Sequence, residues 1–155
     1  MTFVRKQCAS AYERGGYIFL SPSSLTEGGL WVGSEPIVKL ERREVDAGLL
    51  GSQLLEALNN SKVGVPHPAR HEWEAVAKPL LDLAGVKTWD QFAQNSTLCE
   101  VERTTSTIRF IPTSNEGGQD GFRLDKQKAA EIPVPSPPEV VGRRLLDVLS
   151  LMRQE

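Results

Sequence analysis

The stretch Gly51-Ser52-Gln53-Leu54-Leu55-Glu56-Ala57-Leu58 returns 91 residues later as Gly142-Arg143-Arg144-Leu145-Leu146-Asp147-Val148-Leu149, with the glycine, two leucines, an acid and the last leucine in register. Leu50, Leu54 and Leu58 in the first copy, and Val141, Leu145, Leu149 and Met152 in the second, recur at the spacing of one face of an α-helix. A glycine inside a helix costs about 1 kcal/mol relative to alanine. Its return at the same place in both copies predicts a helix backbone pressed close to a neighbour, and the expected neighbour is a β-sheet.

The repeat extends upstream of these helices. Phe19-Leu20-Ser21-Pro22-Ser23-Ser24 answers to Phe110-Ile111-Pro112-Thr113-Ser114, and each is followed by Glu-Gly-Gly, at 27–29 and 116–118. The offset slips from 91 to 89 and back, as loops of different length require. The same motifs in the same order predict a duplicated unit of several strands followed by one helix. Short β-branched or aromatic runs between turn residues place strands over 3–9, 17–20, 30–32 and 37–40 in the first half. They place others over 98–103, 107–111, 121–124 and 131–134 in the second, with Asp120-Gly121 as hairpin-turn chemistry. Asp46 is set to cap the first repeated helix, and Ser136-Pro137-Pro138-Glu139 reads as a capping box with proline at the first helical position.

An unduplicated segment separates the halves, entered through Val63-Gly64-Val65-Pro66-His67-Pro68. Residues 71–84 carry Trp73, Val76, Leu80 and Leu83 at helical spacing, with Pro79 as a kink or restart and Gly85 as the stop. Thr88-Trp89-Asp90-Gln91 then opens a short helix with a capping box. The expected architecture is one α+β domain of pseudo-duplicated antiparallel β-sheet plus helix units. Half 1 spans about 1–62, a helical insert about 63–96, and half 2 about 97–155. The order of four strands then a helix in each half is similar to the whirly single-strand-binding fold.

The chain has 155 residues, a formal net charge of −2 and a pI near 5.8. At this length a fold buries roughly 68–70 % of the surface of its unfolded chain, which is core enough without a metal or a disulfide. The longest apolar runs, such as 17–20, fall far short of the roughly 18 residues of a membrane span. Gln7, Ser10, Glu13 and Arg14 interrupt any apolar segment behind Arg5 and Lys6, so no export signal is read there and the expected compartment is the cytoplasm. Cys8 and Cys99 are then expected as reduced, buried thiols.

Recognisable chemistry is scarce. His67 and His71 cannot share a helical face across Pro68, and the cysteines stand singly, so no metal or other cofactor is expected. Val32-Gly33-Ser34-Glu35-Pro36 has proline where a nucleophile elbow would begin its helix, and the glycine pairs lack the residues of a phosphate-cradling loop. The reading is a protein that is not an enzyme. Basic residues occur as the separated pairs Arg5-Lys6, Arg42-Arg43 and Arg143-Arg144 with acids nearby, so direct nucleic-acid binding is not expected, and Trp31, Trp73 and Trp89 are read as largely buried. Loops in both halves are acidic, with Glu27 and Glu35 in one and Glu116, Asp120 and Asp125 in the other. Such loops on a chain without catalytic signature favour a basic protein partner, and these five residues are the expected contacts.

Residues 54–68 (LLEALNNSKVGVPHP), 83–102 (LAGVKTWDQFAQNSTLCEVE) and the C-terminal SPPEVVGRRLLDVL resemble the immunity proteins of bacterial contact-dependent growth inhibition systems. The resemblance covers about 45–155. It implies a cytoplasmic, non-enzymatic inhibitor that binds the toxic C-terminal domain of a large exoprotein, commonly a nuclease, and covers its active site. It also implies that Trp89 and Phe92 belong to the core. A small nucleic-acid-binding module is the alternative, followed by a hydrolase with an acidic cleft. Because no ligand set is legible, thermal melts recorded with and without a chelator should coincide, and a drop of many degrees on chelation would overturn that reading.

Overall fold

The computed structural model describes residues 6–117 and 121–153. The first half runs β1 (Gln7–Arg14), β2 (Tyr17–Thr26), β3 (Trp31–Gly33), β4 (Val38–Glu41) and α1 (Ala47–Asn59). The second repeats the order as β6 (Ser96–Arg103), β7 (Thr107–Asn115), β8 (Phe122–Leu124), β9 (Ala130–Pro133) and α4 (Pro138–Arg153). Between them lie β5 (Val63–Val65), α2 (Trp73–Ala84) and α3 (Trp89–Gln94). The expected α+β class with its duplicated strand-and-helix units is borne out. Asp120 and residues 3–5, on which part of the strand and turn reading rested, lie outside the described residues.

The halves share a single sheet. β1 and β6 pair antiparallel along their whole length, from Gln7 opposite Arg103 to Arg14 opposite Ser96, giving the order β3-β2-β1-β6-β7-β8. The near ends of β2 and β7 carry β4 and β9, and their far ends carry β3 and β8. Gly15 and Gly16, both at positive φ, form the two-residue turn between β1 and β2 that only such residues enter without strain. β2 continues six residues past the apolar run, through Ser-Pro-Ser-Ser-Leu-Thr, a stretch that reads as turn chemistry. Its polar groups find partners on neighbouring loops. Ser21 Oγ donates to the Ser34 carbonyl at 3.1 Å, and Ser61 Oγ bridges the Cys8 amide and the Ser23 carbonyl. β5, which no strand signal announced, adds parallel to the end of β2.

Side chains alternate between the two faces of the sheet. Ala9, Ala11, Ile18, Leu20, Cys99, Val101, Ile108 and Phe110 face α1 and α4. Tyr12, Phe19 and Leu98 pack with Leu80 and Leu81 of α2 and Phe92 of α3 on the opposite face. Phe19 and Phe110 therefore lie on opposite faces, and the repeat as read from sequence is out by one residue in these strands. The matching positions are 90 apart. Ile18 answers to Ile108 and Leu20 to Phe110, and the hairpin pair Ser10–Ser21 answers to Glu100–Ile111. The same offset carries Ser10 onto Glu100, its own partner across β1–β6, so the pseudo-twofold axis passes through that pair.

Over the other face the axis passes between the two repeated glycines. A Cβ built on Gly51 would overlap the Pro138 carbonyl and stand 2.9 Å from the Gly142 amide nitrogen. One built on Gly142 would overlap the Ala47 carbonyl and stand 2.8 Å from the Gly51 nitrogen. The neighbour at each glycine is thus the other helix and not the sheet, which corrects the reading from sequence. Local signals fare better. Asp46 Oδ1 accepts from the Leu49 amide at 2.7 Å, Thr88 and Gln91 form the reciprocal box, and Gly85 ends α2 at φ 74°. Ser136 does not cap α4; its hydroxyl donates back to the Pro133 carbonyl, and the Val140 amide donates to Pro137.

Because the obstacle at each glycine is backbone, which cannot rotate away, even Gly51→Ala and Gly142→Ala should destabilise, by about 1–3 kcal/mol or more. Equilibrium urea melts check this. A wild-type midpoint in both variants would remove the close crossing.

Candidate functional site: a cavity on the open face of the sheet

The face of β1, β2 and β6 turned away from α1 and α4 is only partly covered by the insert. The uncovered part floors a cavity of about 680 Å³, within the size range of ligand-binding clefts. Trp31 of β3 and Phe122 of β8, from opposite ends of the strand order, both line it, so the sheet curls around this space. Val76, Pro79 and Leu80 of α2 and Trp89 of α3 close one side. Tyr12 packs edge-on against Trp89, Phe92 and Phe122, which fixes the aromatic end of the floor.

The other end of the floor is polar. Glu100, at the pseudo-twofold axis, accepts a 2.7 Å hydrogen bond from Ser10 Oγ. Burial pushes its carboxyl up to about 7, and the nearby Glu102 carboxylate adds to the shift, while the Ser10 hydrogen bond and Lys6 oppose it. Glu102 is differently placed. Its two oxygens meet Lys6 Nζ at 3.0 Å and Arg109 at 3.8 Å, and Arg109 also holds Glu131. Lys6 in turn sits 5.5 Å from the centre of the Trp31 ring. Among the described residues no cation lies within salt-bridge distance of Glu100.

This arrangement suits holding a hydrogen-bonding or cationic group better than attacking a substrate. Ser10 donates to a carboxyl without any histidine beside it; His67 bonds Thr26 instead, at 2.9 Å. Burial pushes the Cys8 thiol up to about 12 and raises Cys99 as well, so both remain protonated, buried, unreactive thiols. Among the described residues there is no cluster of three or more metal-ligating side chains.

The acidic residues singled out from sequence bracket the two terminal strands. Glu27 and Glu35 precede and follow β3, while Glu116 and Asp125 precede and follow β8. Glu35 lines the cavity, and Glu116 and Asp125 share a neighbouring cleft with Arg123 and Lys126, joined to the cavity through Leu124. Glu27 is exposed on the turn before β3 and lines neither, and Asp120 lies outside the described residues. The tryptophans are less buried than expected. Trp31 is partly exposed, Trp73 38 % and Trp89 36 %, so of the pair assigned to the core Phe92 belongs there fully and Trp89 only by one face. Ser10 and Glu100 were missed, although Glu100 sits in the alternating run Leu98-Cys99-Glu100-Val101-Glu102 on the same face as buried Leu98.

The shift at Glu100 makes stability depend on pH with a definite sign. The folded chain holds this proton more tightly than the unfolded one, so the favourable contribution is complete below about pH 4.5 and is lost as pH rises through about 7. Wild type should therefore lose on the order of 2–3 kcal/mol relative to Glu100→Gln across that window. Denaturant melts of both proteins at several pH values provide the check, and parallel profiles would refute it.

Comparison with known proteins places the architecture. The fold is similar to that of a Neisseria meningitidis protein of unknown function, with 18 % identity over 97 % of this chain and 99 % of that one and a TM-score of 0.78. It is equally similar to a chain of the CdiA-CT/CdiI toxin and immunity complex from Yersinia pseudotuberculosis, with 18 % identity, 96 % and 98 % coverage and a TM-score of 0.77. At such identity these likenesses establish the fold alone. No curated protein matches the sequence. The family model for CdiI, the CDI immunity protein, matches residues 7–151, from the first strand of the sheet into the last turns of α4, and the chain belongs to the family of CDI immunity proteins.

Proposed function

We propose that this chain neutralises the toxic C-terminal domain of a contact-dependent growth inhibition exoprotein by binding it, without catalysis of its own, in the cytoplasm of the cell that makes it. The observation that carries the reading is the family match across residues 7–151. The similarity of its fold to a chain from a toxin and immunity complex supports a protein partner of the same kind. No helix among the described residues is long and apolar enough to cross a membrane.

The toxin is a nuclease on this reading, and its active site is covered. A nuclease must present basic charge to hold phosphate, and an inhibitor that covers such a site gains association rate and specificity from carboxylates. Support comes from where the acids stand. Glu35 lines the cavity, Glu116 and Asp125 line the adjoining cleft, and Glu27 lies at the outer turn of β3. With Asp120 they form the proposed contact surface.

Reversing the charge at Glu27, Glu35, Glu116, Asp120 and Asp125, with folding verified by circular dichroism, should slow association with the purified toxin domain encoded beside this chain about tenfold or more at low salt. The difference should shrink as salt is raised, and protection of cells expressing the toxin should fall. Unchanged association would place the contacts elsewhere. Failure of the unaltered chain to bind that domain would remove the neutralising function itself.

A further inference from the structure

We propose that Glu100 is the specificity-determining acid of the cavity: it receives a cationic side chain, arginine or lysine, offered by the toxin, and releases its proton to solvent as the ion pair forms. This rests on the toxin-binding reading above and adds the chemistry by which the cavity would select its occupant.

The geometry argues for a cation at this position. Of the two acids on the floor, Glu102 is already held by Lys6 and Arg109, whereas Glu100 has a neutral partner, Ser10 Oγ at 2.7 Å. Glu35 lines the same cavity, so among the described residues its lining carries three carboxyl groups against one basic side chain, Lys6. Trp31 and Trp89 line the walls, and aromatic faces add to the attraction for a cation withdrawn from water. An arginine or lysine entering here would exchange water for a carboxylate and aromatic surface, the combination that makes a charged side chain worth burying.

The groups facing Glu100 can be named element by element. Lys6, Cys8 and Tyr12 come from β1 and the residue before it, Glu102 from β6, and Glu35 from the segment after β3. The portions of β2, β8, α2 and α3 that line the cavity bring no titratable group, and Arg109 of β7, the strand beside β6, is engaged by Glu102 and Glu131. Burial holds the Glu100 carboxyl near 7, and it pushes Cys8 to about 12 and Tyr12 above its ordinary range, so neither of the latter changes charge near neutrality. A cation beside Glu100 favours its ionised form, so complex formation below about pH 7 must expel the proton.

Isothermal titration of the full chain with the purified toxin domain encoded beside it, in buffers of different ionisation enthalpy, reads this directly. Wild type should release close to one more proton per complex than Glu100→Gln at pH 6, and none more at pH 8.5. Its affinity should rise about tenfold more than that of the variant between pH 6 and pH 8. Equal proton release and equal pH dependence in the two proteins would overturn the role of Glu100 while leaving toxin binding intact. Should the variant not fold, wild type alone decides, since binding without proton release at pH 6 excludes the ion pair. Failure of wild type to bind the domain at all would remove the underlying reading and this inference with it.

Discussion

Two helix backbones touch at Gly51 and Gly142, and the rest of the molecule is arranged around that contact. Each glycine faces the other helix's first turn as well as its glycine, Pro138 across from Gly51 and Ala47 across from Gly142, so the crossing is locked on both sides of the pseudo-twofold axis. The absence of a side chain at Gly51 and at Gly142 permits this approach. The crossed pair then presents Leu50, Leu54, Leu58, Val141, Leu145 and Leu149 to the sheet, where all are buried. Near the axis the sheet answers with small side chains, Ala9, Ala11 and Cys99, leaving room for the leucines.

With one face of the sheet occupied by the crossed helices, the other becomes the place where the duplicated halves differ. The offset of 90 that relates the central strands pairs Tyr12 with Glu102 and Cys8 with Leu98. Tyr12 and Leu98 are themselves direct neighbours across β1–β6, as are Cys8 and Glu102. The axis thus relates an apolar pair to a polar one. The apolar end receives α2 and α3 through Phe92, Leu80 and Leu81, and the polar end remains open to the cavity with Lys6 and Arg109 beside Glu102. An insert between two copies of a symmetric unit can cover only one end, and the floor residues match that asymmetry position by position.

What the sequence reveals follows the range of the interaction. Asp46, Thr88 with Gln91, and Gly85 act within one helical turn, and all do as the local pattern says. The repeated glycines announce a close approach, but which element approaches depends on residues 91 apart, and sheet and helix are equally consistent with the pattern. Phe19 and Phe110 mislead for a related reason: identity of residue type outweighs a one-residue slip in a string comparison, whereas in a strand that slip reverses the face. The serines of β2 look like turn residues because their hydrogen-bond partners, Ser34 for the Ser21 hydroxyl and Ser61 for the Ser23 carbonyl, come from loops that only the fold brings near. At the site, the acids bracketing β3 and β8 are visible as loop composition. Glu100 is not, since alternation alone makes it a solvent-facing strand residue and the elements that enclose the cavity around it come from other parts of the chain.

Glu100 also runs against what stability alone would select. Its neighbour in the same cross-strand row, Ile111, is fully buried, so this row accepts an apolar side chain without difficulty. A carboxyl there gives up most of its hydration for one hydrogen bond from Ser10, an exchange that disfavours the folded chain whenever the group is charged. The crossed helices and the two apolar clusters leave the fold able to carry that burden. The balance differs once a partner is present, because a cation brought to the floor supplies what the free protein lacks there. An acid placed on the symmetry axis, between an apolar wall and an ion-paired one, is therefore better matched to the bound state than to the free one, and the same holds for the partly exposed Trp31 and Trp89 that frame it.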